Sequence, residues 1–150
     1  MTGPQLNTIY FYAQTDAYAE FSNFAPFGVE MEGVYWRTVE HYFQAMKFDD
    51  ATHRERIRTA RKPKDAKASG MTRAVALRAD WDEVKDAIMQ AAVFRKFQTH
   101  AVPRDLLLGT GSAQIVENAP MDAYWGCGPD GRGLNKLGRI LMDVRDSLAS

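Results

Sequence analysis

Apolar residues repeat at helical spacing most clearly between residues 37 and 48. At about 100° per residue, four large apolar side chains share one face: Val39, Tyr42, Phe43 and Met46. Thr38 comes just before them and is a typical N-cap residue, because its hydroxyl can accept a hydrogen bond from an unsatisfied backbone N–H. The pattern predicts a buried helix over residues 37–48.

Polar side chains flank this apolar face. Glu40 and Lys47 are seven residues apart, so on one continuous helix they would lie nearly in line, roughly 10 Å apart along the axis. Gln44 lies beside them. Because burying an unpaired ion is costly unless its pKa shifts, these three side chains are candidates for chemistry. Ordinary surface residues of an amphipathic helix would give the same pattern.

The remaining periodicities predict a small β component among further helices. Strands are predicted at residues 8–12 and 113–117, with a hairpin over 29–36 that turns near Glu32 and Gly33. Helices are predicted over 51–61, 63–70, 80–97, 103–109 and from about 136 to 148, and Asp80 with Glu83 has capping-box spacing. With 150 residues and no repeat or linker, we expect one domain, 1–150, with an ordered core at about 8–148 after a loose start at 1–7.

Aromatic and small polar residues alternate between residues 21 and 27, and Pro26 blocks regular structure there. We interpret this segment as an ordered loop whose phenylalanines pack inward and hold Ser22 and Asn23 in place. A loop that serves core packing alone is an equal alternative.

Glycines are concentrated between residues 122 and 135. Gly126, Gly128 and Gly131 match G-x-G-x-x-G, but Pro129 interrupts the triplet and no βαβ unit surrounds it, which argues against a dinucleotide fingerprint. A more general inference is that these glycines allow the backbone of the loop to approach a ligand closely. Trp125 could stack on a planar group and Asn135 could bind a sugar hydroxyl. A surface loop with a buried tryptophan is the alternative.

Composition narrows the class of protein. Apolar residues make up 45% and charged residues 25%, as in soluble globular proteins, and the formal net charge is zero. The single cysteine, Cys127, fits a reducing compartment, and no metal-ligand pattern is present. No apolar run could span a bilayer and no signal-peptide pattern begins the chain, so we expect a cytoplasmic protein without a membrane partner.

A basic cluster is predicted on the helices over 51–61 and 63–70. Its seven members are Arg54, Arg56, Arg58, Arg61, Lys62, Lys64 and Lys67. Such a cluster could meet phosphates, but a solvated helix face is the more common meaning of the pattern.

Long motifs along almost the whole chain resemble the NADAR, or YbiA-like, family. They are residues 21–24 (FSNF), 36–48 (WRTVEHYFQAMKF), 78–81 (RADW), 125–128 (WGCG) and 133–138 (GLNKLG). The resemblance implies an α+β, mostly helical fold with a small β component. It also implies an N-glycosidase that cleaves a ribosyl C–N bond. We expect no cofactor and no metal.

The resemblance further implies substrates and residue roles. One substrate class is the phosphoribosylamino-pyrimidine intermediates of riboflavin synthesis; the other is ADP-ribose on guanine, which would make ADP-ribosylated DNA or RNA a partner. The family pattern makes Lys47 the nucleophile that forms a Schiff base and Glu40 the proton carrier. The expected substrate-binding residues are Ser22, Asn23, Phe24, Arg37, Gln44, Asp80, Trp81, Trp125, Gly126 and Asn135.

Two other classes of protein fit the same residues. A non-catalytic ADP-ribose or nucleotide-binding module could use the same aromatic and glycine-rich walls. A nucleic-acid-binding protein could use the basic cluster, and its affinity for DNA would then depend strongly on salt. The sequence does not indicate an oligomeric state.

Overall fold

The computed structural model describes residues 7–150, and the predicted loose start, up to residue 6, lies outside them. The chain divides into two units. We call the described residues up to 22 together with His100–Ser150 the terminal unit, and Asn23–Thr99 the central unit. No helix within residues 7–150 combines the length and the apolar character needed to cross a membrane.

The elements confirm an α+β, mostly helical fold. In chain order they are β1 (Thr8–Phe11), a 3-10 helix (Ala19–Phe21), β2 (Val29–Met31), β3 (Val34–Trp36), α1 (Val39–Ala45), α2 (Ala51–Arg58), α3 (Pro63–Gly70), α4 (Trp81–Thr99), α5 (Ala101–Gly109), β4 (Gln114–Glu117) and α6 (Lys136–Ala149).

The hairpin forms where the sequence predicts it. β2 and β3 pair antiparallel, with Met31 opposite Val34, so Glu32 and Gly33 form a two-residue connection. Both have positive φ, 54° and 82°, which is the conformation of the tight hairpin turn that matches strand twist. Glycine adopts it without strain, and Glu32 is one of three non-glycine residues in the described chain that do so.

Helix α1 is buried in the central unit but is shorter than predicted. The Thr38 hydroxyl accepts a hydrogen bond from the His41 N–H at 3.1 Å, which confirms the N-cap, and all seven helical residues are buried. The prediction that the helix reaches residue 48 is wrong: it ends at Ala45, and Lys47 lies in the following turn. The N–H groups of Lys47 and Phe48 bond to carbonyls three residues back, which tightens the chain out of the α-helix.

Three helices and β3 enclose α1 within the central unit. Helices α2, α3 and α4 all contact it, and α3 begins with Pro63 at its first turn, as predicted. Gly70 ends α3 against α1, where an added Cβ would lie only 2.0 Å from the Gln44 Oε1 atom. This close approach of α3 to α1 requires a residue without a side chain.

In the terminal unit, β1 and β4 pair in parallel and α6 packs on β4. Asn135 precedes α6 with a φ of 51°. Its Oδ1 atom accepts from the Glu117 N–H at 2.9 Å, and its Nδ2 group donates to the Ile115 carbonyl at 2.9 Å. Both ends of this amide therefore attach the glycine-rich loop to β4.

Candidate active site

The turn after α1 fixes the position of Lys47. Its backbone carbonyl accepts a hydrogen bond from the Arg78 N–H at 2.8 Å, and its side-chain amine donates to the Gly70 carbonyl at 3.3 Å. The Arg78 guanidinium also donates to the Met46 carbonyl at 3.5 Å. Two residues from other segments of the central unit, Gly70 and Arg78, thus hold the turn that carries the amine.

The surroundings of Lys47 lower the pKa of its amine below the ordinary value of 10.5. Burial is the largest cause, since the half-buried ammonium loses hydration. The Glu40 carboxylate acts in the opposite direction and raises the pKa, while the charges of Lys67 and Lys85 lower it further. The net effect shifts the amine toward its neutral form, which is the nucleophilic one.

Glu40 is held at the same edge of α1. Its side chain is 6% exposed, its N–H donates to the Asn23 carbonyl at 3.1 Å, and its Oε2 atom accepts from Gln44 Nε2 at 2.7 Å. The Gln44 Oε1 atom is buried without a hydrogen-bond partner among the described residues and lies against Gly70, whose carbonyl accepts from Lys47. The structure therefore brings Glu40, Gln44 and Lys47 together around the end of α3.

Asn23 lies beside the first turn of α1. Its side chain is buried, with Nδ2 donating to Met89 Sδ at 3.3 Å, while Oδ1 has no hydrogen-bond partner in the described chain. Phe24 is half-buried, and the Lys67 ammonium lies 6.0 Å from the centre of its ring. An unsatisfied buried amide oxygen near Glu40 is a group that a ligand hydroxyl could satisfy.

Two predicted site residues of the central unit, Arg37 and Trp81, contact other residues of that unit. The exposed Arg37 donates to the carbonyls of Ala60 and Arg61, each at 3.3 Å. The Trp81 side chain is 8% exposed, and its ring packs 5.0 Å from the ring of Phe43. That any of these residues binds substrate stays a prediction.

The predicted capping box at Asp80 is wrong. The Asp80 carboxylate accepts two hydrogen bonds from Arg78, at 2.6 and 3.2 Å, and the Glu83 N–H donates to the backbone carbonyl of Asp80. The ion pair forms in place of the cap because the guanidinium, two residues away, offers two donors to the carboxylate. Asp80 thereby holds Arg78, which in turn holds the Lys47 turn.

The other predicted site residues lie in the terminal unit. Ser22 is buried and ends the 3-10 helix, its N–H donating to the Ala19 carbonyl at 3.0 Å. Trp125 is half-buried, with its N–H bonded to the Asp122 carboxylate at 2.9 Å. An added Cβ on Gly126 would lie 2.8 Å from the Ala119 Cβ, so close packing explains this glycine. Their roles toward a substrate, and that of Asn135, stay predictions.

A cavity of about 230 Å³ opens on the far side of α1. Tyr42 and Trp36 line it, and Tyr42 is about 200° around the helix from Glu40. Neither Glu40 nor Lys47 lines this cavity. Within residues 7–150, no group of three or more His, Cys, Asp or Glu side chains is placed to hold a metal ion.

The sequence alone does not identify the residues that hold Lys47 in place. Gly70 supplies the acceptor for Lys47, and Arg78 fixes the backbone of the turn. The only sequence signal for Arg78 was its place in a family-like motif, and Gly70 was predicted as a helix end. Their partners on α1 are distant in sequence, so no local pattern reveals these roles.

Comparison with known proteins gives the family. A model of the NADAR domain matches residues 10–149. An N-glycosidase of Nostoc punctiforme is 49% identical over 94% of this chain and 92% of its own length. The N-glycosidase YbiA of Escherichia coli is 46% identical over 94% of this chain and 88% of its own. The chloroplastic riboflavin biosynthesis protein PYRR of Zea mays is 38% identical over 96% of this chain, which covers 26% of that protein.

A solved structure agrees with these matches. The NMR structure of the E. coli protein YbiA superposes with a TM-score of 0.89 at 45% identity, covering 98% of this chain and 88% of that one. The protein belongs to the NADAR family, as the sequence motifs indicated, and has the fold of YbiA.

Proposed function

We propose that this protein is an N-glycosidase that hydrolyses the bond between a ribose and the nitrogen of an amino-bearing heterocycle, using Lys47 as nucleophile and Glu40 as acid and base. Identity of 46–49% to named N-glycosidases over most of the chain supports hydrolysis of an N-glycosidic bond. The observation that carries the residue assignment is the half-buried Lys47 amine, with its pKa lowered, at the edge of α1 that also holds Glu40.

In the first half of the reaction, Glu40 gives a proton to the ring oxygen of the ribose. The ring opens as the leaving nitrogen supplies an electron pair, which leaves an iminium carbon at C1. The neutral Lys47 amine adds to that carbon, and a proton passes from the new ammonium to the leaving nitrogen. The bond from C1 to the heterocycle then breaks, which releases the base and leaves a protonated Schiff base on Lys47.

In the second half, the Glu40 carboxylate takes a proton from water as the water adds to C1. The resulting carbinolamine transfers a proton to the lysine nitrogen and expels it. The products are the open-chain sugar and the neutral amine of Lys47. The enzyme returns to its starting state without any external oxidant or reductant.

The contacts of Glu40 and Lys47 suit these roles. A carboxylate paired directly with Lys47 would stabilise the ammonium and suppress attack. Instead, Glu40 accepts a hydrogen bond from Gln44, and Lys47 donates to the Gly70 carbonyl. Gln44 thus keeps the carboxylate oriented, while burial and neighbouring lysines favour the neutral amine.

Two substrate classes share the required bond. A phosphoribosylamino-pyrimidine of riboflavin synthesis is supported by the name of the maize relative, and the net charge of zero suits a small metabolite better than nucleic acid. ADP-ribosyl-guanine is supported by the resemblance of the motifs alone. In either case we expect Asn23 to bind a ribose hydroxyl and Trp81 to contact the base.

A parallel assay tests the proposal. The protein is incubated with both substrate types, and the released base is measured by mass spectrometry, with Lys47→Ala as the matched variant. We expect release from at least one substrate by the wild type and none by Lys47→Ala. If the wild type binds either substrate but releases no base, the protein is better described as a binding module. That result would overturn the proposal that it is an enzyme.

A further inference from the structure

The structure separates the members of the basic cluster by what they contact. Arg54 donates to the Phe48 carbonyl, and Arg58 pairs with Glu55. Arg56, Arg61, Lys62 and Lys64 are exposed. Lys67 differs from them because it approaches the edge of α1 that carries the candidate catalytic residues.

Two contacts place the Lys67 ammonium at that edge. Lys67 is on α3, one turn before Gly70, whose carbonyl accepts from the Lys47 amine. The ammonium lies 6.0 Å from the ring centre of Phe24, and the preceding residue, Asn23, bonds to the Glu40 N–H. Lys67 therefore lies on the helix that contacts Lys47, and its ammonium lies beside the loop that contacts Glu40.

Its charge is available to a ligand. The Lys67 side chain is exposed, and within residues 7–150 its ammonium has a contact with the Phe24 ring but no carboxylate within 4.0 Å. A lysine ammonium is a compact charge with three donors, which suits a phosphate oxygen.

We propose that Lys67 is the cation of a phosphate subsite that binds the phosphate on C5 of the substrate ribose. The inference rests on the proposed function, since both substrate classes carry a phosphate or diphosphate at that carbon. An unpaired phosphate close to Lys47 would stabilise the ammonium form of the nucleophile. Pairing with Lys67 offsets part of that charge, so the same contact that anchors the substrate also limits the effect of the phosphate on the nucleophile.

Binding of ribose 5-phosphate, compared with ribose, tests this assignment without requiring turnover. Affinities are measured by NMR titration of the wild type, Lys67→Ala and Lys64→Ala. Lys64 is the matched control, because it is an exposed lysine on α3 one turn earlier. We expect the wild type to prefer the phosphorylated sugar, and Lys67→Ala to lose about 10- to 100-fold of its affinity for it, the range of a charge-assisted hydrogen bond.

Lys64→Ala should keep the preference of the wild type. The assignment is overturned if Lys67→Ala retains the preference, if both variants lose it equally, or if the wild type binds the two sugars alike. None of these results refutes the glycosidase proposal, provided that the wild type releases base and Lys47→Ala does not. One further outcome is that the protein releases no base and yet shows a preference for ribose 5-phosphate that depends on Lys67. That result would refute the glycosidase proposal and support the phosphate subsite.

Discussion

Replacing Gly70 with alanine should lower the catalytic activity of this protein much more than its stability. An added Cβ would lie 2.0 Å from Gln44 Oε1, 2.8 Å from its Cδ and 2.9 Å from its Cβ, whereas ordinary contact begins at 3.4 Å. Gln44 Oε1 must therefore move by about 1.4 Å. Because Gln44 is 4% exposed and donates to Glu40 at 2.7 Å, that movement displaces the Glu40 carboxylate.

The expected magnitudes follow from these contacts. A misplacement of about 1 Å near the reacting groups can lower the rate by about 10²-fold, so we expect kcat of Gly70→Ala to fall by about that factor. Overpacking costs about 1–3 kcal/mol, and alanine regains about 1 kcal/mol of helix propensity over glycine. The free energy of unfolding should therefore fall by only about 0–2 kcal/mol.

Gly109→Ala is the matched control, because Gly109 also ends a helix and an added Cβ there meets no atom within 4 Å. The assay measures kcat from released base and the unfolding midpoint by circular dichroism for both variants. We expect Gly109→Ala to keep full activity with equal or higher stability. Normal kcat in Gly70→Ala, or an equal loss in both variants, would refute the packing argument.

Two further predictions concern Glu40 and His41. Glu40→Gln should lower kcat by about 10²-fold with little change in unfolding midpoint, and a rate near that of the wild type would remove Glu40 from the mechanism. The pKa of buried His41 is lowered from 6.5, chiefly by burial, with the Ala60 carbonyl opposing and Arg37 adding to the shift. As pH falls below about 6.5 the unfolded chain binds the proton first, so stability should fall until the pH passes the folded pKa. Denaturant unfolding between pH 7 and 5 measures this slope, which should be smaller in His41→Asn; an equal slope would contradict the assignment.

Local patterns predict the elements whose causes are local. The hairpin turn needs only Glu32 and Gly33 between two strands, and the start of α1 needs only the Thr38 hydroxyl and the His41 N–H. In each case the residues that form the feature lie within a few positions of one another in the sequence. Family-like motifs predict the grouping of Glu40, Gln44 and Lys47, but not the contacts that hold them.

Features that depend on distant partners could not be predicted. Apolar periodicity continues through Met46, yet α1 ends at Ala45, and the Arg78 N–H, far along the chain, holds the turn that follows. Asp80 has cap spacing, but the nearby guanidinium takes its carboxylate. The sequence predicts Gly70 only as the end of a helix. Its carbonyl accepts a hydrogen bond from Lys47 because α3 packs on α1.

Reductive trapping tests most directly whether Lys47 forms the covalent intermediate. The protein is mixed with substrate and sodium borohydride, digested, and the peptides are analysed by mass spectrometry. A reduced sugar adduct on Lys47, absent from Lys47→Ala and from samples without substrate, is the result we expect. Rapid release of base with no adduct on Lys47, or an adduct that persists elsewhere in Lys47→Ala, would contradict the account.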